Sequence, residues 1–143
     1  MYKHILVTLD QSELAEQALG HAAAMAKAFG STVHLVSVVR VVTRESAVSV
    51  ELEAKVDSAR DYMKGIRKRF IEQGIETEWD VCQGDVGEQI LLYCEQQECD
   101  LVVMSTHGRS GVGRWVYGSI ADRVLRYASV PVLLVRASET PEL

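Results

Sequence analysis

Two kinds of apolar stretch alternate along the chain and predict alternating strands and helices. Short runs rich in Val, Ile and Leu are typical of buried strands, and they occupy residues 4–10, 32–39, 100–106 and 130–137. Residues 75–82 instead alternate apolar or threonine positions with acidic ones. This pattern predicts a strand with one wet face, at or near a sheet edge.

Between these runs, apolar residues recur at helical spacing. The first helix is predicted to follow Ser12, which is placed as an N-cap, and a long amphipathic helix is predicted over residues 52–70, after a surface connection at residues 40–50. Asp85 and Ser119 each have an acidic residue three positions later. That capping-box spacing predicts the starts of two further helices, with Ser119 as a cap.

The predicted order is strand, helix, strand, repeated to a fifth strand with four helices. It favours a single α/β domain over residues 1–143, with a doubly wound, mostly parallel sheet covered on both faces and a flexible tail at residues 138–143. In such sheets, ligands bind at the carboxyl ends of the strands, where the winding direction reverses. Asp10 ends the first strand, and a glycine-rich stretch at residues 105–119, "STHGRSGVGRWVYGS", follows the fourth. If those strands are neighbours, the two features meet at one place.

Composition narrows the function classes. The chain has 143 residues, of which 48% are hydrophobic. Its net charge is −5, so it lacks the excess of positive charge that is typical of a general nucleic-acid-binding protein. Its apolar runs are far shorter than the roughly 20 residues that span a bilayer, and its start does not read as a signal peptide. We therefore expect a cytoplasmic protein without a membrane segment. The three cysteines are expected to be core thiols, and the four histidines lack metal-ligand spacing, so no metal site is predicted.

The glycine-rich stretch is suited to an anion, because backbone N–H groups and a helix N-terminus favour negative charge. It does not match two stricter phosphate motifs. Gly108 and Gly113 have P-loop spacing, but Arg114 and Trp115 follow them, and the dinucleotide fingerprint fails because Val116 stands where its last glycine belongs. A phosphate cradle and a simple turn both stay open from these residues alone. The sequence contains no recognisable nucleophile set for covalent catalysis.

Over almost its whole length the chain resembles the universal stress protein family. "HILVTLDQSELAEQAL" resembles the opening strand and helix of the family, and "CDLVVMSTHGRSGVGRWVYGSIADRVLRYASVPVLLVR" resembles its C-terminal signature. In nucleotide-binding members that signature reads Gly, two residues, Gly, nine residues, Gly, then Ser or Thr. Gly108, Gly118 and Ser119 match it. Ser105 stands at the first glycine position, and Gln11 stands where many members have glycine.

The resemblance implies a five-stranded sheet of order 3-2-1-4-5, with ATP or another adenine nucleotide, such as cyclic AMP, where strands one and four meet. Leu9 and Asp10 would flank the adenosine and phosphate region. Val38 or Val39 would offer main-chain hydrogen bonds to adenine. Asp10 is also placed to assist a Mg²⁺ ion that bridges phosphates.

The phosphate side of the implied site is formed by the signature residues. Gly108, Gly118 and Ser119 would hold the phosphates, and the Ser105 hydroxyl is able to donate a hydrogen bond where the family has glycine. We add Arg109, whose charge and position would help to neutralise the phosphates.

The resemblance favours a regulatory module that binds ATP or a related adenine nucleotide in the stress response. Two alternatives stay open: a nucleotide-free stress protein that acts through dimerisation, favoured by Ser105, and a weak ATPase. Hydrolases and ligases of related fold carry an "SGGxDS"-like loop after strand one, where this chain has "LDQSE". A phosphoacceptor receiver domain is disfavoured because strand five ends in Arg136 rather than lysine.

A homodimer is the expected assembly. Residues 130–136 form an apolar stretch whose backbone needs a cover if it lies at a sheet edge. The resemblance implies that this strand pairs with its counterpart in a second copy about a two-fold axis.

Overall fold

The computed structural model describes residues 1–41, 47–106 and 118–137. Its elements in chain order are β1 (His4–Thr8), α1 (Glu13–Glu16), α2 (Leu19–Phe29), β2 (Thr32–Arg40), α3 (Ala47–Glu72), β3 (Thr77–Gly84), α4 (Val86–Gln96), β4 (Leu101–Ser105), α5 (Ser119–Tyr127) and β5 (Val132–Val135). The interior of the glycine-rich stretch and the tail at residues 138–143 lie outside the described residues. Within the described ranges, no helix is both long and apolar enough to cross a bilayer.

The five strands form one parallel sheet in the order β3-β2-β1-β4-β5. The predicted fold is therefore confirmed. The winding direction reverses between β1 and β4, which pair directly with Ile5 opposite Leu101 and Val7 opposite Val103. The same order leaves β3 at one edge and β5 at the other. The alternating pattern of residues 75–82 is explained by that edge position, since Glu76, Glu78 and Asp80 are exposed.

Helices cover both faces of the sheet. Side chains of successive strand residues point to opposite faces, so Val7 and Val103 pack with Phe70 of α3, whereas Leu6 and Val102 pack in the other cluster, beneath α4 and α5. Aliphatic side chains make up most of both buried clusters. The sheet is consequently fixed from both sides, and the ends of its strands hold their positions.

Two helices differ from the prediction. The predicted first helix is divided into α1 and α2, because the N–H groups of Gln17 and Ala18 bond to carbonyls three residues back, both at 3.2 Å. Helix α3 begins at Ala47, inside the predicted connection at residues 40–50. Val50, in the first turn, is 75% exposed, so it does not extend the apolar stripe from which the helix was predicted.

Two histidines meet at the amino ends of β1 and β2. His4 Nδ1 lies 3.0 Å from His34 Nε2, so one ring donates and the other accepts. His34 is buried beside Tyr93, and its Nδ1 lies 3.7 Å from the exposed carboxylate of Glu78, with no hydrogen-bond partner among the described residues. On the other side, the carboxylate of Asp100 accepts the His4 N–H. Burial is the main cause that lowers the pKa of His34, which the Glu78 charge partly offsets.

This histidine pair predicts acid sensitivity. Because the pKa of His34 is lower in the folded protein, the unfolded chain binds the additional proton first as the pH falls below about 6.5. The free energy of unfolding should therefore drop below that pH, by at most about 1.4 kcal/mol per pH unit for one proton. Urea unfolding between pH 7.5 and 5 measures this drop. His34→Gln should show a shallower slope, and an equal slope in both proteins would contradict the assignment.

Candidate functional site

A cavity of about 710 Å³ opens where the winding direction reverses, at the carboxyl ends of the strands. It lies between the layer of α1 and α3 and the layer of α4 and α5. Seven of the residues predicted from the sequence line it, namely Leu9, Asp10, Val38, Val39, Ser105, Gly118 and Ser119. The other two, Gly108 and Arg109, lie outside the described residues. The volume is within the range of small-molecule sites.

The turn after β1 is organised by Asp10. Its Oδ1 accepts hydrogen bonds from the Ser12 N–H at 3.1 Å and from the Ser12 Oγ at 2.6 Å. Ser12 Oγ in turn accepts the Ala15 N–H at 3.1 Å, so the predicted N-cap is confirmed. Gln11 has a φ of 70°, a left-handed conformation that glycine adopts without strain. That conformation gives a physical reason for the glycine that many family members have there.

The main chain of β2 distinguishes Val38 from Val39. In a parallel sheet, backbone polar groups of successive residues point alternately to the two neighbouring strands. The Val36 carbonyl accepts the Leu9 N–H at 2.9 Å on the β1 side, whereas the Val33 N–H donates at 2.9 Å on the β3 side. Val38 therefore faces β1, beyond the last β1–β2 pair, and Val39 faces β3. Of the two predicted residues, Val38 directs its N–H and C=O towards the cavity.

The base of the glycine-rich stretch is closed by hydrogen bonds. The Gly118 N–H donates to the Thr106 carbonyl at 2.8 Å, and the Thr106 N–H donates to Val135 of β5 at 2.9 Å. Ser105, just before this closure, is 7% exposed at the end of β4. The fold accommodates a serine at the position where nucleotide-binding members have glycine.

Helix α5 begins one residue earlier than predicted. Its N-cap is Gly118, whose carbonyl accepts the Asp122 N–H at 3.0 Å, and Ser119 is the first helical residue, so the predicted cap at Ser119 is wrong. The expected capping box is absent because the N-cap is Gly118, which makes Asp122 the fourth helical residue instead of the third; its carboxylate accepts from Arg126 Nε at 3.0 Å. Because glycine has no side-chain oxygen, Gly118 makes no side-chain hydrogen bond to the N–H groups of the first turn. Residues 119–121 line the cavity, so the positive end of α5 lies at its wall.

A salt bridge joins α5 to α4 beside this wall. Arg123 Nη1 lies 2.6 Å from Asp85 Oδ2, and the same oxygen accepts the Glu88 N–H at 3.0 Å, which confirms Asp85 as the N-cap of α4. The Glu88 N–H and the Arg123 charge lower the pKa of Asp85. A Cβ added at Gly87 would lie 2.8 Å from Arg123 Cδ, so the two helices approach closely here. These contacts fix the start of α5 over the cavity.

Sequence reasoning missed the wall contributed by α3. Glu51, Ala54, Lys55 and Ser58 line the cavity. Their spacing of three and four residues places them on one face of the helix, a signal that was present in the sequence beside the apolar stripe. Ser58 Oγ donates to Gln11 Oε1 at 3.3 Å and links this wall to the β1–α1 turn. Together with Arg40, Lys55 adds positive charge to a cavity that also holds Asp10 and Glu51.

The fold and cavity define the chain as a doubly wound α/β protein with a ligand-sized site at its topological switch point. The model of the universal stress protein family matches residues 1–136, and the chain therefore belongs to that family. It is 30% identical over 141 residues to Universal stress protein MJ0531 of Methanocaldococcus jannaschii. The alignment covers 95% of this chain and 83% of that protein.

Solved structures agree with this assignment. The structure of MJ0577 from the same organism superposes with a TM-score of 0.85 at 29% identity, covering 98% of this chain and 99% of that one. Two more distant structures share the fold and hold adenine nucleotides. One is a universal stress protein in complex with cAMP (20% identity, TM-score 0.65, 96% and 98% covered). The other, from Archaeoglobus fulgidus, is in complex with dAMP (19% identity, TM-score 0.67, 94% and 98% covered).

Proposed function

We propose that the cavity binds ATP or a related adenine nucleotide and that the protein is a regulatory module of the stress response. The observation that carries the proposal is the meeting of two features at one cavity: the main chain of Val38 on one side and the positive end of α5 on the other. An adenine edge needs a neighbouring donor and acceptor, and phosphates need N–H groups and positive charge. Both complexes described above contain an adenine nucleotide on this fold.

On the base side, adenine would bond to the N–H and C=O of Val38 and lie against the apolar side chain of Leu9. On the phosphate side, the first turn of α5 and Gly118 would receive the anion, with Gly108 and Arg109 as further predicted contacts from the signature. Asp10 is supported by its position on the cavity wall as the residue that would assist a bound Mg²⁺ ion. Ser105 would lie beside the ribose or phosphates with its hydroxyl as an added donor.

We favour binding over turnover. The described lining contains no histidine or cysteine that would serve as a base or nucleophile. One oxygen of the Asp10 carboxylate is engaged by Ser12. Weak ATP hydrolysis is the alternative within the same site, and a nucleotide-free protein that acts through dimerisation is the alternative favoured by Ser105. The regulatory role would be exerted in the cytoplasm through partner contacts or the dimer state.

A homodimer through residues 130–136 forms the second part of the proposal. Strand β5 lies at the edge of the sheet, with Val132, Leu133 and Leu134 only partly buried. An apolar edge strand with exposed backbone is a liability unless it is covered. A second copy, paired β5 to β5 about a two-fold axis, would cover it.

Release of bound ligand tests the nucleotide proposal. Freshly purified protein is denatured, and the released small molecules are identified by mass spectrometry. The expected result is an adenine nucleotide at near one equivalent per chain, or saturable ATP binding by the emptied protein. The absence of both at millimolar nucleotide would reject the proposal and favour the nucleotide-free alternative.

A further inference from the structure

Two cysteines meet where α4 ends. The helix stops in a turn in which Glu98 adopts a left-handed φ of 54°, the Cys99 N–H donates to the Cys94 carbonyl at 2.9 Å, and the Glu98 N–H donates to the Glu95 carbonyl at 3.2 Å. This pair of bonds is the Schellman motif, which usually brings together the side chains at its two ends. Here those side chains are Cys94 and Cys99, and both belong to the buried cluster beneath α4 and α5.

The backbone geometry brings the two residues within disulfide reach. Standard bond lengths on either side of a 2.9 Å hydrogen bond limit the separation of the two α-carbons to about 6.8 Å. Disulfides span α-carbon separations of about 4.4 to 6.8 Å. The Cys94 side chain is turned towards Cys99, since its Sγ lies 3.9 Å from the Cys99 carbonyl oxygen, and the two thiols also interact with each other.

The two thiols affect each other's ionisation. A hydrogen bond from the Cys99 thiol lowers the pKa of Cys94, and the same contact raises the pKa of Cys99. The thiolate is the reactive form of cysteine, so the lowered pKa favours Cys94 as the attacking thiol and Cys99 as the resolving thiol. The third cysteine, Cys82, is half-buried on the edge strand β3, and burial raises its pKa.

We propose that Cys94 and Cys99 are a site of reversible oxidation, at which a small hydroperoxide converts the reduced pair into an intramolecular disulfide. Cys94 Sγ attacks one peroxide oxygen, the O–O bond breaks, and a sulfenic acid forms with release of one water or alcohol. Cys99 Sγ then displaces the hydroxyl from the Cys94 sulfur, the S–S bond forms, and a water leaves. Two thiols are oxidised by two electrons, the peroxide is reduced, and the two thiol protons end in the released products.

Burial sets the selectivity of this reaction. Cys94 and Cys99 are 6% and 5% exposed, so a molecule of the size of hydrogen peroxide has access during local opening, whereas a bulky alkylating reagent is hindered. Cys82 is more exposed than the pair, so alkylating reagents reach it more easily. Its raised pKa makes its thiolate scarcer than that of Cys94, so it reacts less readily with peroxide. Maleimide should therefore label Cys82 first, and peroxide should oxidise the pair first. This inference does not depend on nucleotide binding.

Peroxide treatment followed by peptide mapping tests the proposal. The intact protein should lose 2 Da, and a protease that cuts after glutamate should cleave at Glu95 and Glu98, between the two cysteines. The resulting peptides should stay joined until a reductant is added. The oxidised protein should also have a higher melting temperature than the reduced protein, because the cross-link restricts the unfolded chain.

Variants give the matched controls. Cys82→Ser should close the disulfide at the wild-type rate, whereas Cys99→Ala should not lose 2 Da and should accumulate a trappable sulfenic acid at Cys94. Oxidation of wild-type protein at Cys82 with the pair left reduced would overturn the proposal. A pair that stays reduced after prolonged exposure to excess peroxide would overturn it as well, and the wild-type measurement does not depend on how well any variant folds.

Discussion

The Ser119→Asp variant is expected to bind ATP at least about tenfold more weakly than the wild-type protein. Ser119 is the first residue of α5 and lines the cavity, so a carboxylate there would meet the phosphates at close range. Two unit charges 4 Å apart repel by about 4 kcal/mol near a protein surface, and salt screening still leaves a tenfold effect. Calorimetric titration of ATP into both proteins measures it.

The same variant has a built-in control for folding. An acidic residue in the first turn of a helix interacts favourably with the helix dipole, so the melting temperature should stay equal or rise. Adenosine, which lacks phosphates, should bind both proteins equally, and Ser119→Asn should retain most of the ATP affinity. Equal ATP affinity in the Asp variant and the wild type would show that the phosphates do not lie at the start of α5.

The Leu134→Lys variant is expected to be monomeric at micromolar concentrations at which the wild type forms the proposed dimer. Leu134 lies on the edge strand β5, partly buried. In a two-fold pairing of β5 with its counterpart, the two introduced ammonium groups would lie near each other and repel. Lysine is also the side chain with which natural edge strands avoid pairing. Sedimentation velocity of both proteins measures the change.

Leu134→Met provides the matched control for this experiment. It conserves apolar character and similar volume, so the dimer should persist. The lysine stem can extend along the apolar surface with its charge in water, so the monomer should keep the wild-type circular dichroism spectrum. A Leu134→Lys protein that remains dimeric would place the interface elsewhere, and a monomeric wild type would remove this part of the proposal.

The sequence was sufficient for the fold because strand and helix patterns are local. Alternating apolar runs predicted the five strands, and the acidic positions of residues 75–82 predicted an edge. Helix α3 shows the limit, because Val50 near its start is 75% exposed and lies outside the apolar stripe from which the helix was predicted. The capping of α5 shows another limit. Ser119 and Asp122 have the right spacing, but the helix starts one residue earlier, with Gly118 as its N-cap, and the spacing does not show where the helix starts.

The candidate site could be predicted in part. Asp10 was predicted because it ends a strand and Gly118 because it matches the family signature, and both line the cavity. Distinguishing Val38 from Val39 required the sheet neighbours, since the direction of each main-chain group depends on which strand it bonds. Lys55 was missed because it lies on α3, far from both motifs along the chain, and only tertiary packing brings it to the cavity.

We propose above that this cavity holds an adenine nucleotide with its base at β2 and its phosphates at α5. A crystal structure of the protein grown with ATP and Mg²⁺ tests it most directly. We expect adenine within hydrogen-bond distance of the Val38 main chain and phosphate oxygens within that distance of the N–H groups at the start of α5. Nucleotide bound outside this cavity, or a cavity without nucleotide at saturating ATP, would contradict it.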